Sequence, residues 1–132
     1  MKLEDLLQRA REAAEFAYAP YSKFRVGAAL LGLDGTVYTG CNVENRSFGL
    51  TICAERSALV QGVSRGERRF SKLAISAPDS SNPVGPCGAC RQVLSEFMEP
   101  SAEVIFGGAS PERVITSIRE LLPFDSLHNL CC

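Results

Sequence analysis

Two short cysteine motifs constrain this chain more than any other feature of its sequence. The first is Cys53-Ala54-Glu55 and the second is Pro86-Cys87-Gly88-Ala89-Cys90. Together they supply three thiolates, which suit zinc, and one carboxylate close to the first of them. Structural zinc sites close with four protein ligands, whereas catalytic sites hold three and leave a position for water. The fold must therefore bring the two motifs together, and the set predicts a metal enzyme that activates water.

Both motifs are predicted to lie where a loop ends and a helix begins. Helical spacing of apolar residues predicts one helix over 54–63 and another over 88–98. Unpaired backbone N–H groups and the positive end of the dipole stabilise negative charge at a helix start, which favours the thiolate form of cysteine. Cys87 and Cys90 can face one point from the first turn of one helix, while Cys53 approaches from the start of the other.

The other periodicities predict helices and strands that alternate. A first amphipathic helix over 3–17 is stopped by Pro20, and 117–122 begins with a capping box that predicts a short last helix. Strands are predicted over 24–31, 36–39, 72–77, 103–106 and 113–115. The first two form a hairpin, and the compact turn over 107–111 makes the fourth and fifth strands antiparallel. This pattern predicts one α/β domain over 1–132, with a sheet covered by helices.

Composition excludes several classes of function. The formal net charge is -1, from 14 Lys and Arg against 15 Asp and Glu, so no electrostatic footprint indicates nucleic acid or an anionic membrane. The chain starts with polar residues, without a signal peptide, and contains no apolar run of membrane-spanning length. Six cysteines without a secretory signal favour metal or catalytic thiols in a reducing compartment, and hence a cytoplasmic protein.

The single histidine, His128, lies in a polar tail without a metal-ligating partner at ligand spacing, so the metal must be held mostly by sulfur. Two alternatives to a catalytic site stay open. Cys87 and Cys90 alone match a redox pair, but that reading leaves Cys53 and Glu55 unexplained. A structural zinc site needs a fourth cysteine, for which the candidates are Cys41, Cys131 and Cys132.

Two side chains beside Cys53 have predicted roles in the chemistry. Zinc with three thiolates carries net negative charge, which suppresses its ability to activate water. Arg56, one helical turn beyond Cys53, is predicted to donate to the sulfurs and to withdraw that charge. Glu55 projects near the metal without binding it, where a carboxylate can move a proton between water and a substrate nitrogen.

These residues resemble the cytidine deaminase family, in the small homotetrameric form with three cysteine ligands. Zinc deaminases carry a His-or-Cys-x-Glu segment followed by Pro-Cys-x-x-Cys, with a non-ligand Glu as acid and base. The resemblance also covers segments in the same order along nearly the whole chain: 19–24, 26–29, 40–45, 49–52 and 120–123. It implies a three-layer α/β/α fold with a mixed five-stranded sheet.

The resemblance also implies roles for individual residues. Cys53, Cys87 and Cys90 would hold one Zn²⁺ per subunit, and Glu55 would transfer the proton during hydrolysis of cytidine or 2′-deoxycytidine to the uridine product and ammonia. The expected substrate contacts are Asn42 and Glu44 to the ribose 3′-hydroxyl, the Ala54 backbone to the pyrimidine, Phe24 near the base, and Phe124 from a neighbouring subunit.

The sequence departs from the family pattern at Arg46, where a small residue is common, and at Phe48, where Tyr is frequent. Three alternative functions share the zinc-binding core or the metal. They are deaminases of other cytosine compounds such as blasticidin S, deaminases of bases in RNA or DNA, and structural zinc modules. Asn42 and Glu44 favour a nucleoside over blasticidin S, and the balanced charge does not favour a polynucleotide.

Overall fold

The computed structural model describes residues 1–125 and 127, and its core is a sheet covered on both faces. The strands are β1 Gly27–Gly32, β2 Val37–Cys41, β3 Phe70–Ser76, β4 Met98–Gly107 and β5 Arg113–Ser117. The helices are α1 Leu3–Ala14, α2 Ala54–Ser64, α3 Gly88–Ser95 and α4 Ile118–Leu121, with a 3₁₀ helix over Phe48–Leu50. His128, Cys131 and Cys132 lie outside the described residues.

The sheet is mixed, with the strand order β2-β1-β3-β4-β5. The pairs β1–β2, β1–β3 and β4–β5 are antiparallel, whereas β3 and β4 run parallel. The predicted antiparallel arrangement of the fourth and fifth strands is therefore confirmed. The hairpin of the first two strands is confirmed as well, and Gly35 adopts a positive φ of 89° at its turn, a conformation open to glycine at little cost.

Different helices cover the two apolar faces of the sheet. On one face α1 packs through Leu6, Leu7 and Ala10. On the other face α2, α3 and α4 cover the sheet, with Leu59 and Leu94 fully in the core. Every residue of β1 is buried, because this strand lies inside the sheet and is covered from both sides. The three-layer α/β/α fold is confirmed.

Two predicted helix ends are wrong. Helix α1 ends at Ala14 because the next three N–H groups bond carbonyls three residues back, which tightens the chain into a turn. Helix α3 ends at Ser95 rather than at Met98, and Met98 instead begins β4. The reason is a tertiary contact. The N–H of Phe70 donates to the carbonyl of Phe97 over 3.0 Å and holds that turn at the start of β3.

The strand register places the functional residues at one end of the sheet. Gly27 at the start of β1 pairs with Cys41 at the end of β2 and with Ser76 at the end of β3. The segments just outside these three positions therefore meet at the same end. Among the described residues, no helix combines the length and the apolar character needed to cross a bilayer.

Candidate functional site

The three motif cysteines converge at the starts of two helices. Cys53 and Cys87 occupy the N-cap positions of α2 and α3, and Cys90 lies in the first turn of α3. The Sγ atoms of Cys53 and Cys87 are 3.9 Å apart, and those of Cys87 and Cys90 are 3.4 Å apart. Zinc–sulfur bonds of about 2.3 Å in tetrahedral geometry require sulfurs about 3.8 Å apart. The three side chains therefore fit a zinc ion.

A fourth protein ligand does not join this group within residues 1–125 and 127. The residues that could hold a metal there are Cys53, Cys87 and Cys90 alone, with all three sulfurs within 4.8 Å of one another. Cys41, which was one candidate for a four-ligand structural site, is a separate half-buried thiol at the end of β2. The other two candidates, Cys131 and Cys132, lie outside the described residues.

The pKa values of the Cys53 and Cys90 thiols are shifted in opposite directions. The bond with Cys90, followed by that from Arg56, lowers the pKa of Cys53 to about 5. The same bond with Cys53, together with burial, raises the pKa of the Cys90 thiol. Because thiolates are the form that binds metal, a divalent ion displaces the remaining thiol protons on binding.

Arg56 lies where the sequence predicted it, beside the first sulfur. Its Nη2 donates to the Sγ of Cys53 over 3.5 Å, one turn into α2. This contact is the main cause that raises the pKa of the guanidinium, so the side chain stays cationic. Its Nε is buried and has no hydrogen-bond partner among the described residues.

Glu55 is a buried carboxyl in the first turn of α2, with 4% of its surface exposed. Burial is the main cause that raises the pKa of Glu55 from 4.5 to about 7, and the charge of Cys53 raises it further. A carboxyl with a pKa near neutrality can both accept and donate a proton under ordinary conditions. Glu55 is therefore not one of the exposed carboxylates that are common in the first turn of a helix.

Glu55 opens onto a small cleft at the end of the sheet. Its volume is about 180 Å³, and its lining residues are Val26, Asn42, Thr51, Cys53, Ala54, Glu55, Ile75, Val84, Gly85 and Cys87. The structure thus brings Asn42 and Ala54 together with Cys53, Cys87 and Glu55 in one cleft. Phe24, Glu44 and Phe124 do not line this cleft.

Asn42 and Glu44 both fix the segment that precedes β1. The buried Asn42 amide accepts from the N–H of Val26 over 2.9 Å and donates to the carbonyl of Phe24 over 2.8 Å. The Glu44 carboxylate accepts from the N–H groups of Tyr21 and Ser22 at 3.0 and 3.1 Å, and from the Ser22 hydroxyl. The hydroxyl bond is the main cause that lowers the pKa of Glu44. Sequence reasoning missed this backbone-holding role.

The two predicted aromatic contacts lie apart from the cleft of their own chain. Phe24 is half-buried in the segment that Asn42 holds. Phe124 is fully exposed and adopts a positive φ of 57° after α4. Its ring is therefore free to contact another molecule.

Sequence reasoning also missed the residues that complete the cleft walls. Val84 and Gly85 come from the loop over 77–87, whose prolines predicted only a turn-forming loop. Arg91 Nε donates to the Pro86 carbonyl over 2.8 Å and thereby fixes the end of that loop. Its place directly after Cys90 was the one available signal. Arg25, next to the cleft residue Val26, forms an ion pair with Asp79 of this loop, which local sequence does not indicate.

Comparisons with known proteins agree with this geometry. Residues 1–107 match the family described as the cytidine and deoxycytidylate deaminase zinc-binding region. The chain is 49% identical to the cytidine deaminase of Sporosarcina psychrophila, over 93% of this chain and 90% of that protein. It is 46% identical to the cytidine deaminase of Halalkalibacterium halodurans, over 93% of this chain and 92% of that protein.

Solved structures show the same fold. The crystal structure of cytidine deaminase from Burkholderia pseudomallei superimposes with a TM-score of 0.89 at 45% identity, covering 94% of this chain and 98% of that one. The cytidine deaminase of Mycobacterium tuberculosis gives a TM-score of 0.78 at 40% identity, covering 94% of this chain and 96% of that one. The family resemblance read from the motifs is confirmed, and the chain belongs to the zinc-binding cytidine and deoxycytidylate deaminase family.

Proposed function

We propose that this protein catalyses the hydrolytic deamination of cytidine and 2′-deoxycytidine to uridine and 2′-deoxyuridine, with release of ammonia, as a step of pyrimidine salvage. The observation that carries the proposal is the convergence of three sulfurs beside a cleft that the buried Glu55 also lines. The curated relatives at 49% and 46% identity, both cytidine deaminases, support it.

Cys53, Cys87 and Cys90 are the proposed ligands of one zinc ion per subunit. When bound, zinc lowers the pKa of a coordinated water, which supplies the nucleophile for hydrolysis. Arg56, which donates to Cys53 Sγ, offsets part of the negative charge of the three thiolates. The distances between the sulfurs support these assignments.

Glu55 is the proposed proton carrier. It takes a proton from the attacking water and gives it to N3 of the pyrimidine as the new bond forms at C4. It then passes a second proton from the tetrahedral centre to the amino group, which leaves as ammonia. The raised pKa of Glu55, about 7, suits a group that must accept and donate in one turnover.

Asn42, Glu44, Ala54 and Phe24 are the proposed substrate contacts. The Asn42 side chain uses one acceptor site and one donor on the backbone of 24–26, so one of each is left for a ribose hydroxyl. Glu44 likewise keeps acceptor capacity beyond its bonds to Tyr21 and Ser22. Ala54 lines the cleft, where its backbone can meet the pyrimidine.

The proposal includes assembly and location. A homotetramer accounts for a fully exposed aromatic at Phe124, which would reach the cleft of a neighbouring subunit. The single five-stranded sheet supports one domain over 1–132. A cytoplasmic location stays a prediction from the cysteine content of the sequence.

Ammonia release from cytidine, 2′-deoxycytidine, blasticidin S and a cytosine-containing oligonucleotide tests the reaction. We expect turnover of the two nucleosides and a loss of about 10²- to 10⁴-fold in kcat for Glu55→Gln with zinc retained. Glu12→Gln, a change of an exposed α1 carboxylate, is the matched control and should keep full activity. Zinc-loaded wild type that turns over neither nucleoside contradicts the proposal, and full activity of Glu55→Gln contradicts the proton-carrier role.

A further inference from the structure

Arg25 and Asp79 join two segments that are far apart in the sequence. Arg25 Nη2 donates to Asp79 Oδ1 over 2.7 Å, and Nε donates to Oδ2 over 3.0 Å. The backbone N–H of Arg25 also donates to Oδ2, over 2.9 Å. A two-pronged ion pair of this kind has a defined geometry, unlike most surface pairs, which contribute little.

The charges at this contact are strongly coupled even though the pair reaches the surface. The side chains of Arg25 and Asp79 are 38% and 28% exposed. The Arg25 side-chain bond is the main cause that lowers the pKa of Asp79 to about 2. Glu15 is a second, weaker partner of Arg25, at 3.5 Å from Nη1. The carboxylate of Asp79 therefore stays ionised, and the pair intact, throughout the neutral range.

Arg25 lies between two residues that are bonded by a side chain of the cleft. Asn42, a residue of the cleft, bonds the carbonyl of Phe24 and the N–H of Val26, which are the neighbours of Arg25 on each side. Two side chains thus hold the segment 24–26. Asn42 bonds the backbone of its first and last residues, and Asp79 bonds the middle residue, Arg25. Val26 is itself part of one cleft wall.

Asp79 lies near the start of a loop that also lines the cleft. This loop runs over 77–87 and contributes Val84, Gly85 and Cys87 to the cleft. Its other anchors are the Ser80 carbonyl, which accepts from Ala109, and the Pro86 carbonyl, which accepts from Arg91. These bonds, together with that from the Ala77 N–H to the Gly107 carbonyl, attach the loop to the region after β4 and to α3. Arg25 attaches it instead to the segment that precedes β1.

We propose that the Arg25–Asp79 ion pair is a positioning device that fixes the loop over 77–87 against the segment before β1, where both contribute to the substrate cleft. The pair lies outside the lining of the cleft, so it acts on substrate binding through Val26 and Asn42 in one segment and through Val84 and Gly85 in the loop. The inference rests on the proposed function, because the nucleoside is the ligand whose fit the position of the loop controls.

The test combines kinetics with hydrogen exchange of the loop. Asp79→Asn removes the charge and keeps the shape, and we expect KM for cytidine to rise about tenfold while kcat stays within about twofold. Amides over 80–85 should exchange faster than in wild type. Arg25→Lys, which keeps the charge but loses the two-pronged geometry, should give a smaller rise in KM.

Glu4→Gln is the matched control, since it breaks another surface ion pair, that of Arg113 Nε with Glu4 at 3.2 Å, between β5 and α1. It should leave both KM and loop exchange unchanged. Unchanged KM or unchanged exchange in folded, zinc-loaded Asp79→Asn overturns the proposal, as does a KM rise of equal size in Glu4→Gln. Wild type without cytidine turnover would instead refute the proposed function, while the exchange rates still decide whether the pair holds the loop.

Discussion

Arg56 donates a hydrogen bond from Nη2 to the Sγ of Cys53 over 3.5 Å, one turn along the helix that Cys53 caps. The contact places a positive charge beside the most acidic of the thiols whose pKa is shifted. A site of three thiolates accumulates negative charge, and this guanidinium is the group placed to offset it.

Replacing Arg56 by Ala should weaken zinc binding or lower kcat by about 10- to 100-fold, because the sulfur loses its hydrogen bond and the site loses a positive charge. Arg9→Ala, a change of an exposed α1 residue, serves as the control. Zinc affinity from competition with a chelator and kcat for cytidine are the measurements. Unchanged values of both would return Arg56 to the role of a helix surface residue.

Cys53→Ser and Cys41→Ser compare a proposed zinc ligand with a half-buried thiol outside the metal site. Cys53 is one of the three converging sulfurs, whereas Cys41 lies apart from them at the end of β2. We expect purified Cys53→Ser to lose bound zinc and to melt at a lower temperature, since metal binding contributes to folding free energy. Zinc content per subunit and thermal unfolding test this. Equal zinc loss in Cys41→Ser would show that the ligand set is wrong.

Glu55 should make the stability of the zinc-free protein depend on pH. Its pKa is raised from 4.5 to about 7 by burial, so the native state binds the proton more tightly than the unfolded chain. The stabilising contribution is therefore complete below about pH 4.5 and is lost as pH rises to about 7. Relative to Glu55→Gln, wild type should lose about 3 kcal/mol of unfolding free energy across this window.

Urea unfolding of chelator-treated wild type and Glu55→Gln at several pH values measures this difference. The variant carries a neutral amide at every pH, so it is the reference for the titration of this one carboxyl. A difference between the two proteins that stays constant from pH 4.5 to 7 would mean that Glu55 titrates normally in the fold.

Gly40 should be required for the position of the helix that carries Cys53 and Glu55. A Cβ atom at Gly40 in β2 would lie 2.4 Å from the backbone nitrogen of Ala58 in α2. Because this neighbour is backbone, the helix itself must shift. Gly40→Ala should therefore destabilise the protein by about 1–3 kcal/mol or more and reduce kcat.

Gly49→Ala is the matched control, since a Cβ atom there meets nothing within 4 Å and the backbone φ is not positive. Chemical denaturation and kcat for cytidine provide the comparison. Equal stability of the two variants would mean that α2 and β2 can separate at little cost.

Asn42→Asp should loosen the segment before β1. An aspartate can still accept from the N–H of Val26, but it cannot donate to the carbonyl of Phe24. Leaving a buried acceptor unpaired costs about 1–3 kcal/mol. We expect lower thermal stability together with a higher KM for cytidine, and unchanged stability would show that the amide is not required for this segment.

Local chemistry determined much of this protein from the sequence alone. The spacing of Cys87 and Cys90 is set at the start of α3, and that of Cys53 and Glu55 at the start of α2, so each motif could be read from residues close together in sequence. The hairpin of β1 and β2 and the antiparallel pair β4–β5 were likewise set by short turns. Each of these features depends on residues that are neighbours along the chain.

Only the tertiary structure decided how the rest of the site is held. The end of α3 at Ser95 depends on a bond between Phe70 and Phe97, and the walls of the cleft depend on the contact of Arg25 with Asp79. The joint hold of Asn42 on Phe24 and Val26 also appears only once β1 and β2 are in register. No periodicity records such pairings, because their partners meet through the order and register of the strands and not through spacing along the chain.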